Sequence, residues 1–132
     1  MDVPRFSLDG YEVEALVCKV FDGDSIQAVF ALPMCPEFQE RYRWSCRIAG
    51  IDTPELRSKD TEVRKLAFAA RDLVKDLVLG KTVRLVLGEF DKYGRVLCKV
   101  YDATGKPVAS TLLERGLARE YNGGKREKWE II

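Results

Sequence analysis

Three acidic side chains, Asp24, Asp52 and Glu55, occupy turn-like positions in the sequence. Asp24 follows an Asp22-Gly23 turn signal, and Glu55 comes after Asp52 past Thr53-Pro54. Carboxylates gathered at strand ends supply the oxygen ligands that a hard cation prefers. Each acid also suits an ordinary role in a turn or in a loop that leads into a helix cap. The three acids therefore predict either a cation site or a set of turn residues.

Two arginines accompany these acids. Arg47 precedes Asp52 in what reads as the same strand, and Arg95 begins a later strand after the turn-like segment 91–94. Two guanidinium groups that converge on two carboxylates can form plain salt bridges. They can also form a bidentate clamp on a phosphate whose charge a metal helps to offset. Composition and spacing leave both interpretations open.

The chain contains no histidine, which excludes a Ser-His or Cys-His nucleophile pair, a histidine general base and a histidine-containing zinc site. A phosphodiesterase of this composition needs a metal or a carboxylate to generate its nucleophile. The net charge is only +1, from 22 Lys and Arg against 21 Asp and Glu, so any basic surface must be local. The C-terminal segment is one candidate, either for nucleic acid or as plain solvated surface, through Arg119, Lys125, Arg126 and Lys128.

A string of strands and one long helix must position these residues. Apolar residues at spacings of three and four predict an amphipathic helix over 61–79, with Asp60 or Thr61 as N-cap and Gly80 just beyond its end. A short helix is predicted over 108–115. Apolar or alternating runs, the first two joined by the Asp-Gly hairpin signal, predict strands at 11–21, 24–32, 41–51, 82–88 and 95–102.

This order predicts an α+β, mainly β fold: a five-stranded OB-fold Greek-key barrel. Its main helix lies between strands 3 and 4, and its short helix follows strand 5. Closure of the barrel would remove exposed strand edges. A small α+β sandwich would give a similar string of elements. The length of 132 residues fits a single domain over 1–132.

The four cysteines, Cys18, Cys35, Cys46 and Cys98, form no C-x-x-C pair, which excludes a zinc ribbon and a thioredoxin motif. We expect Cys18, Cys46 and Cys98 to be reduced core residues because each lies in an apolar run. No signal peptide is visible, and no run approaches the roughly 18 apolar residues of a membrane span. We expect a soluble, monomeric, intracellular (cytoplasmic) protein, unless a leader has been removed.

Three segments closely resemble the active-site blocks of the staphylococcal nuclease, or thermonuclease, family: DGDS at 22–25, RIAGIDTPE at 47–55 and DKYGR at 91–95. A fourth segment, GLAREYNGGKREKW at 116–129, is similar to the C-terminal block of many members. A single block occurs by chance, whereas three blocks in order, each with its functional residue, form a specific pattern. The resemblance covers roughly residues 13–129.

The resemblance implies a calcium-dependent endonuclease that cleaves DNA, RNA or both with little sequence specificity and leaves a 3′-phosphate. Asp24 and Asp52 match the calcium-binding carboxylates of the family. Thr53 matches the residue that offers the metal its main-chain carbonyl, and Glu55 matches the glutamate usually proposed as general base. The cofactor implied is Ca²⁺.

The resemblance also assigns the residues that would hold nucleic acid. Arg47 and Arg95 match the two arginines that hold the scissile phosphate and stabilise the transition state. Lys92 and Tyr93 match residues that contact the neighbouring phosphate and nucleotide. Tyr121 matches a stacking tyrosine at the rim of the pocket.

Two departures from the family pattern leave these groups in place. Ser25 stands where threonine is commoner, and the segment before Arg47 is longer, so the loop over 31–42 is expected to reshape the substrate groove. The alternative function is a non-catalytic OB-fold module that binds nucleic acid or protein. Members of that kind have usually lost some of the acids and arginines, whereas this chain keeps all five: Asp24, Arg47, Asp52, Glu55 and Arg95.

Overall fold

The computed structural model of the chain describes residues 2–124 and 127–129. Its elements in chain order are β1 (Glu12–Asp22), β2 (Ser25–Ala31), β3 (Arg41–Ile48), β4 (Ile51–Asp52), α1 (Thr61–Val78), β5 (Thr82–Phe90), β6 (Val96–Val100), α2 (Val108–Glu114) and β7 (Arg119–Glu120). Five strands close into a barrel in the order β1-β2-β3-β6-β5, and β4 pairs separately with β7. The predicted α+β barrel, with its main helix between the third and fourth barrel strands, is confirmed.

The pairing of the barrel strands brings the candidate site together. β1 and β2 form the predicted hairpin, in which Asp22 lies opposite Ser25. All neighbouring barrel strands are antiparallel except β3 and β6, which run parallel. In that parallel pair Arg47 lies opposite Leu97, so the C-terminal part of β3 lies next to the start of β6 and to Arg95.

The long helix begins and ends as its local signals predict. The carboxylate of Asp60 caps α1 by accepting hydrogen bonds from the backbone N–H groups of Glu62 and Val63. Gly80 follows the helix with a φ of 73°, a conformation that glycine adopts without strain. The buried face of α1 packs against β1. Of the helices among the described residues, neither has both the length and the apolar character needed to cross a membrane.

The prediction of one continuous strand over 41–51, with Asp52 at its end, was wrong. β3 ends at Ile48, and the chain turns at Gly50, where φ is 85°, before it resumes as β4. Ile51 and Asp52 then pair with β7, a short strand that the sequence did not predict. Asp52 therefore lies outside the barrel strand that carries Arg47.

The four cysteines are free thiols, as expected for Cys18, Cys46 and Cys98. Cys46 and Cys98 are buried in the core, where the hydrogen bond between the two thiols and their burial raise the pKa of Cys98 far above its usual range. The expectation that Cys18 belongs to the core was wrong. A register shift in the β1–β2 pairing at Cys18 changes which side chains of β1 point inward, and its half-buried thiol donates to the side chain of Gln27.

Candidate active site

A cavity of about 360 Å³ lies where the β1–β2 turn, the end of β3, the loop after β4 and the start of β6 meet. Five predicted site residues line it: Asp24, Arg47, Thr53, Glu55 and Arg95. They come from four separate segments of the chain, so the closed barrel is what brings them together. Asp52 does not line this cavity but lies behind it, within 3.9 Å of the Arg47 guanidinium.

Asp24 is buried, and the groups around it hold its carboxylate in one orientation. Its Oδ2 accepts hydrogen bonds from Nη2 of Arg47 at 3.4 Å and from the backbone N–H of Thr53 at 3.3 Å. The hydroxyl of Ser25 donates to Oδ1 at 3.3 Å, so serine at this position supplies the hydroxyl that the commoner threonine would also carry. The turn itself is pressed against α1, because a Cβ at Gly23 would lie 2.8 Å from that of Ala70.

Burial raises the pKa of Asp24 to about 6, and the nearby carboxylate of Asp22 adds to this shift. Arg47 and the N–H of Thr53 oppose the shift without cancelling it. The site therefore holds a buried carboxylate beside a second one, and both its burial and this neighbour disfavour its charged form. A divalent cation would offset this effect.

Asp52 is fully buried and held by residues from the C-terminal part of the chain. β4 and β7 place Arg119 opposite Asp52, and Nη2 of Arg119 donates to Oδ2 of Asp52 at 3.1 Å. Nε1 of Trp129 donates to the same oxygen at 3.2 Å, and the Arg119 guanidinium lies 4.6 Å from the centre of the Trp129 ring. The same guanidinium also donates to the carbonyl of Glu127.

Arg119 and Trp129 are site residues that the sequence interpretation missed. Arg119 was grouped with a basic segment, either for nucleic acid or as plain solvated surface, whereas in the structure it pairs with a buried carboxylate. Their only sequence signal is their place in the C-terminal block, because the pairing with Asp52 spans 67 and 77 residues respectively. Of the other basic residues in that segment, Lys125 and Arg126 lie outside the described residues.

The two arginines of the cavity are fixed in different ways. Arg47 is buried between Asp24 and Asp52, and its Nη2 also donates to the carbonyl of Ile51 at 3.0 Å. Nε of Arg95 pairs with Oδ2 of Asp91 at 2.8 Å. Although partial burial works against it, hydrogen bonds from backbone N–H groups and from Arg95 lower the pKa of Asp91, which keeps that carboxylate charged.

Arg47 and Arg95 also line a second, larger cavity of about 650 Å³ next to the first. The remaining predicted nucleotide-binding residues, Lys92, Tyr93 and Tyr121, line this cavity together with Gly123 and Gly124. Tyr93 is 71% exposed, and its ring lies 5.5 Å from the Arg95 guanidinium. The ring of Tyr121 lies 5.3 Å from the Arg47 guanidinium. Each tyrosine thus lies beside one of the two arginines that line both cavities.

Within residues 2–124 and 127–129, no three Cys, Asp or Glu side chains are grouped closely enough to hold a metal ion by themselves. The family resemblance names as donors the carboxylates of Asp24 and Asp52 and the main-chain oxygen of Thr53; Asp24 and Thr53 line the cavity, and Asp52 lies behind it. All three are hard oxygen ligands, and the crowding of Asp22 and Asp24 favours a cation. This donor set fits Ca²⁺, which accepts few protein ligands when water or substrate oxygens complete its coordination.

Comparisons with known proteins find relatives that are named as endonucleases. An "Uncharacterized endonuclease" of Escherichia coli is 29% identical over 110 residues, which cover 83% of this chain and 62% of that protein. A "Probable endonuclease LCL3" of Pyricularia oryzae is 32% identical over 93 residues, which cover 63% of this chain and 36% of that protein. The matched regions thus span less than two thirds of the length of either relative.

The family match begins inside the barrel. Residues 45–130 match the family described as "Staphylococcal nuclease homologue", and this range includes Arg47, Asp52, Glu55 and Arg95. The hairpin that carries Asp24 precedes the matched range, but the fold brings it to the same cavity. By its matched range and its closed barrel, this chain belongs to the staphylococcal nuclease homologue family.

Proposed function

We propose that this domain is a calcium-dependent endonuclease that hydrolyses phosphodiester bonds of DNA, RNA or both with little sequence specificity. The observation that carries the proposal is the cavity that Asp24, Glu55, Arg47 and Arg95 line together. The cavity combines the two guanidinium groups, which ion pairs hold in place, with the accessible carboxylate of Glu55. Attack of water on a phosphodiester uses groups of these two kinds. The endonuclease names of the relatives support the same reaction class.

Arg47 and Arg95 would bind the scissile phosphate. Both guanidinium groups are already held by carboxylates, Arg47 by Asp24 and Arg95 by Asp91, so little reorganisation is needed when negative charge develops on the phosphate oxygens. Nη1 of Arg95 also donates to the hydroxyl of Ser25 at 3.3 Å, which orients it toward the β1–β2 turn. Loss of one such preorganised contact typically costs about 10²–10³ in rate.

Glu55 is the group proposed to activate the attacking water. It is exposed on the loop after β4 and faces the same cavity as the two arginines. Its carboxylate would take a proton from water while the water oxygen bonds to phosphorus. The bond from phosphorus to the 5′-oxygen then breaks, the 5′-oxygen takes a proton from solvent, and the product carries a 3′-phosphate.

Asp24, Asp52 and the main-chain carbonyl of Thr53 would hold the calcium ion. When bound there, Ca²⁺ supplies positive charge that offsets the charge of the phosphate and promotes ionisation of water. Nη2 of Arg47 lies within 3.9 Å of both carboxylates, so this side chain would orient both of them as well as the substrate. One chain supplies every residue of this set, which is consistent with a monomer.

The larger cavity would receive the nucleotide next to the scissile bond. Lys92 would contact the neighbouring phosphate, while Tyr93 and Tyr121 present aromatic rings to the base or sugar. Stacking is tolerant of sequence because every base has a π-face. The low sequence specificity of the proposed enzyme follows from this mode of binding.

The decisive experiment incubates the purified protein with DNA and with RNA in Ca²⁺, in Mg²⁺ and in a chelator. We expect cleavage in Ca²⁺, none in the chelator, and little turnover in Mg²⁺ because Mg²⁺ demands strict octahedral geometry. Cleavage in Mg²⁺ equal to that in Ca²⁺ would contradict the metal assignment. Binding of nucleic acid without any cleavage would instead support the non-catalytic binding module.

A further inference from the structure

The outer face of β3 carries arginines at every second position except one. Arg41, Arg43, Ser45 and Arg47 alternate along the strand and lie opposite residues 31, 29, 27 and 25 of β2. The intervening side chains turn the other way, as Cys46 is buried in the core and Trp44 stacks on Phe30 with ring centres 5.1 Å apart. The alternating row therefore points away from the barrel interior. Its first three members are exposed, and its last, Arg47, is buried in the candidate active site.

The first two members of this row, Arg41 and Arg43, are exposed and are here called the β3 arginine pair. Within the described part of the chain, no carboxylate forms an ion pair with either guanidinium, although Glu40 precedes Arg41. Their neighbours on β2, Ala31 and Val29, carry no charge. The pair therefore creates a local positive surface on a chain whose net charge is only +1.

This positive surface continues into the site. A further cavity of about 340 Å³, which includes Ser45, Tyr93 and Arg95 in its lining, adjoins the catalytic one. Phe21 lines both cavities and is 47% exposed. Asp22 also lines both cavities, so a chain that leaves the Arg47–Arg95 seat passes this carboxylate and Ser45 on its way to Arg43. The exposed rings of Phe21 and Tyr93 offer stacking surfaces on the way.

We propose that the β3 arginine pair binds the phosphodiester backbone of a single-stranded polynucleotide that extends from the active site along β3. The inference rests on the proposed nuclease function and adds a second contact region to it. Alternate residues of a strand are about 7 Å apart, which is close to the separation of successive phosphates in an extended single strand. The pair would raise affinity for long substrates and leave the chemistry on the shortest ones unchanged.

The test measures binding of a labelled single strand of about 12 nucleotides, within the usual site size of an OB fold, in a chelator so that cleavage does not interfere. The double variant Arg41→Gln/Arg43→Gln removes two charges while keeping side chains of similar character. Arg64→Gln/Arg115→Gln is the matched control, because it removes two exposed arginines from α1 and from the end of α2. Melting temperatures establish that all three proteins are folded.

We expect the β3 double variant to bind the single strand about tenfold more weakly. The negative slope of log K against log salt should also become less steep by about 1.4, the value for two phosphate contacts. The control should match the parent. If the parent protein cleaves nucleic acid, the KM for long strands should be higher in the β3 variant. The kcat and the cleavage of a dinucleotide should be the same in both proteins. A salt slope equal to that of the control would overturn the proposal.

Other outcomes separate this proposal from the function on which it rests. If the parent cleaves nucleic acid and the salt slope of the β3 variant is unchanged, the proposed role of the arginine pair is rejected and the proposed nuclease function is kept. Binding by the parent without cleavage, combined with the expected slope change, supports the pair and rejects the nuclease. An equal loss of duplex binding in the β3 variant would overturn the assignment to a single strand.

Discussion

Asp24 and Asp52 both lie next to Nη2 of Arg47, yet different parts of the chain hold them in place. Asp24 belongs to a tight hairpin of the barrel, is 6% exposed and opens toward the catalytic cavity. Asp52 lies on a short strand outside the barrel, is 0% exposed and is tied to the C-terminal segment through Arg119 and Trp129. The resemblance to the nuclease family treats these acids as a pair, but their physical surroundings differ.

This difference has an energetic consequence. Asp24 is a carboxylate whose ionisation is disfavoured by burial and by Asp22, so the folded protein without a cation gains little from its charge. Asp52 is surrounded by donors, and its charge satisfies Arg47, Arg119 and the indole N–H of Trp129. The charge of Asp24 therefore contributes little to the stability of the cation-free protein, whereas the contacts of Asp52 stabilise the fold.

The largest effect should come from Asp52→Asn. The change leaves Arg47 and Arg119 without their shared negative partner, and loss of one member of a buried pair costs about 3 kcal/mol or more. We take the lower end of that range because the Arg119 side chain is 31% exposed. Urea unfolding in a chelator measures the effect. Asp24→Asn is the matched control and should change the free energy of unfolding by less than about 1 kcal/mol; equal losses in both variants would contradict the comparison.

Glu55→Gln tests the chemistry that neither aspartate supplies. The variant keeps the shape of the side chain but removes the proposed base, so single-turnover cleavage should fall by about 100-fold or more. Calcium affinity should fall only modestly because Asp24 and Asp52 remain, and higher pH should partly restore the rate as hydroxide becomes available. Asp24→Asn should differ by recovering with excess Ca²⁺. Near-normal turnover of the folded Glu55→Gln protein would reject the general-base role.

A smaller effect is expected at the exposed rim of the nucleotide cavity. Tyr93→Ala should weaken nucleotide binding by about 2 kcal/mol if a base or sugar packs on the ring. Its effect on the chemical step should be smaller than that of Arg95→Ala, because we propose that Tyr93 contacts the nucleotide and Arg95 the scissile phosphate. Nucleotide titrations and single-turnover rates separate the two effects. A lower melting temperature with unchanged affinity would assign Tyr93 a structural role only.

The smallest effect should come from Trp129→Phe, which removes one hydrogen bond to Asp52 and keeps an aromatic ring beside Arg119. We expect a loss of about 1 kcal/mol in the free energy of unfolding, the usual contribution of one hydrogen bond. In a Trp44→Phe background, Trp129 is the sole tryptophan, and its fluorescence should change when Ca²⁺ is added. Fluorescence that ignores Ca²⁺ would contradict the link between Asp52 and the metal.

Much of the fold followed from local signals in the sequence. The Asp-Gly hairpin and the amphipathic helix with its Asp60 cap were predicted from neighbouring residues, and both are confirmed. The break after Ile48 was missed because Ile48, Ala49 and Ile51 continue an apolar run across Gly50. β4 and β7, at two residues each, are too short to show any period.

The sequence by itself determined which chemical groups are present and which short segments carry them. The absence of histidine, the three blocks with their acids and arginines, and the periodicity of α1 are all properties of neighbouring residues. Only the tertiary structure decided how these segments meet. Barrel closure brings Asp24 to Arg95, and the pairing of β4 with β7 gives Arg119 to Asp52, because contacts between residues far apart in sequence depend on strand register and packing.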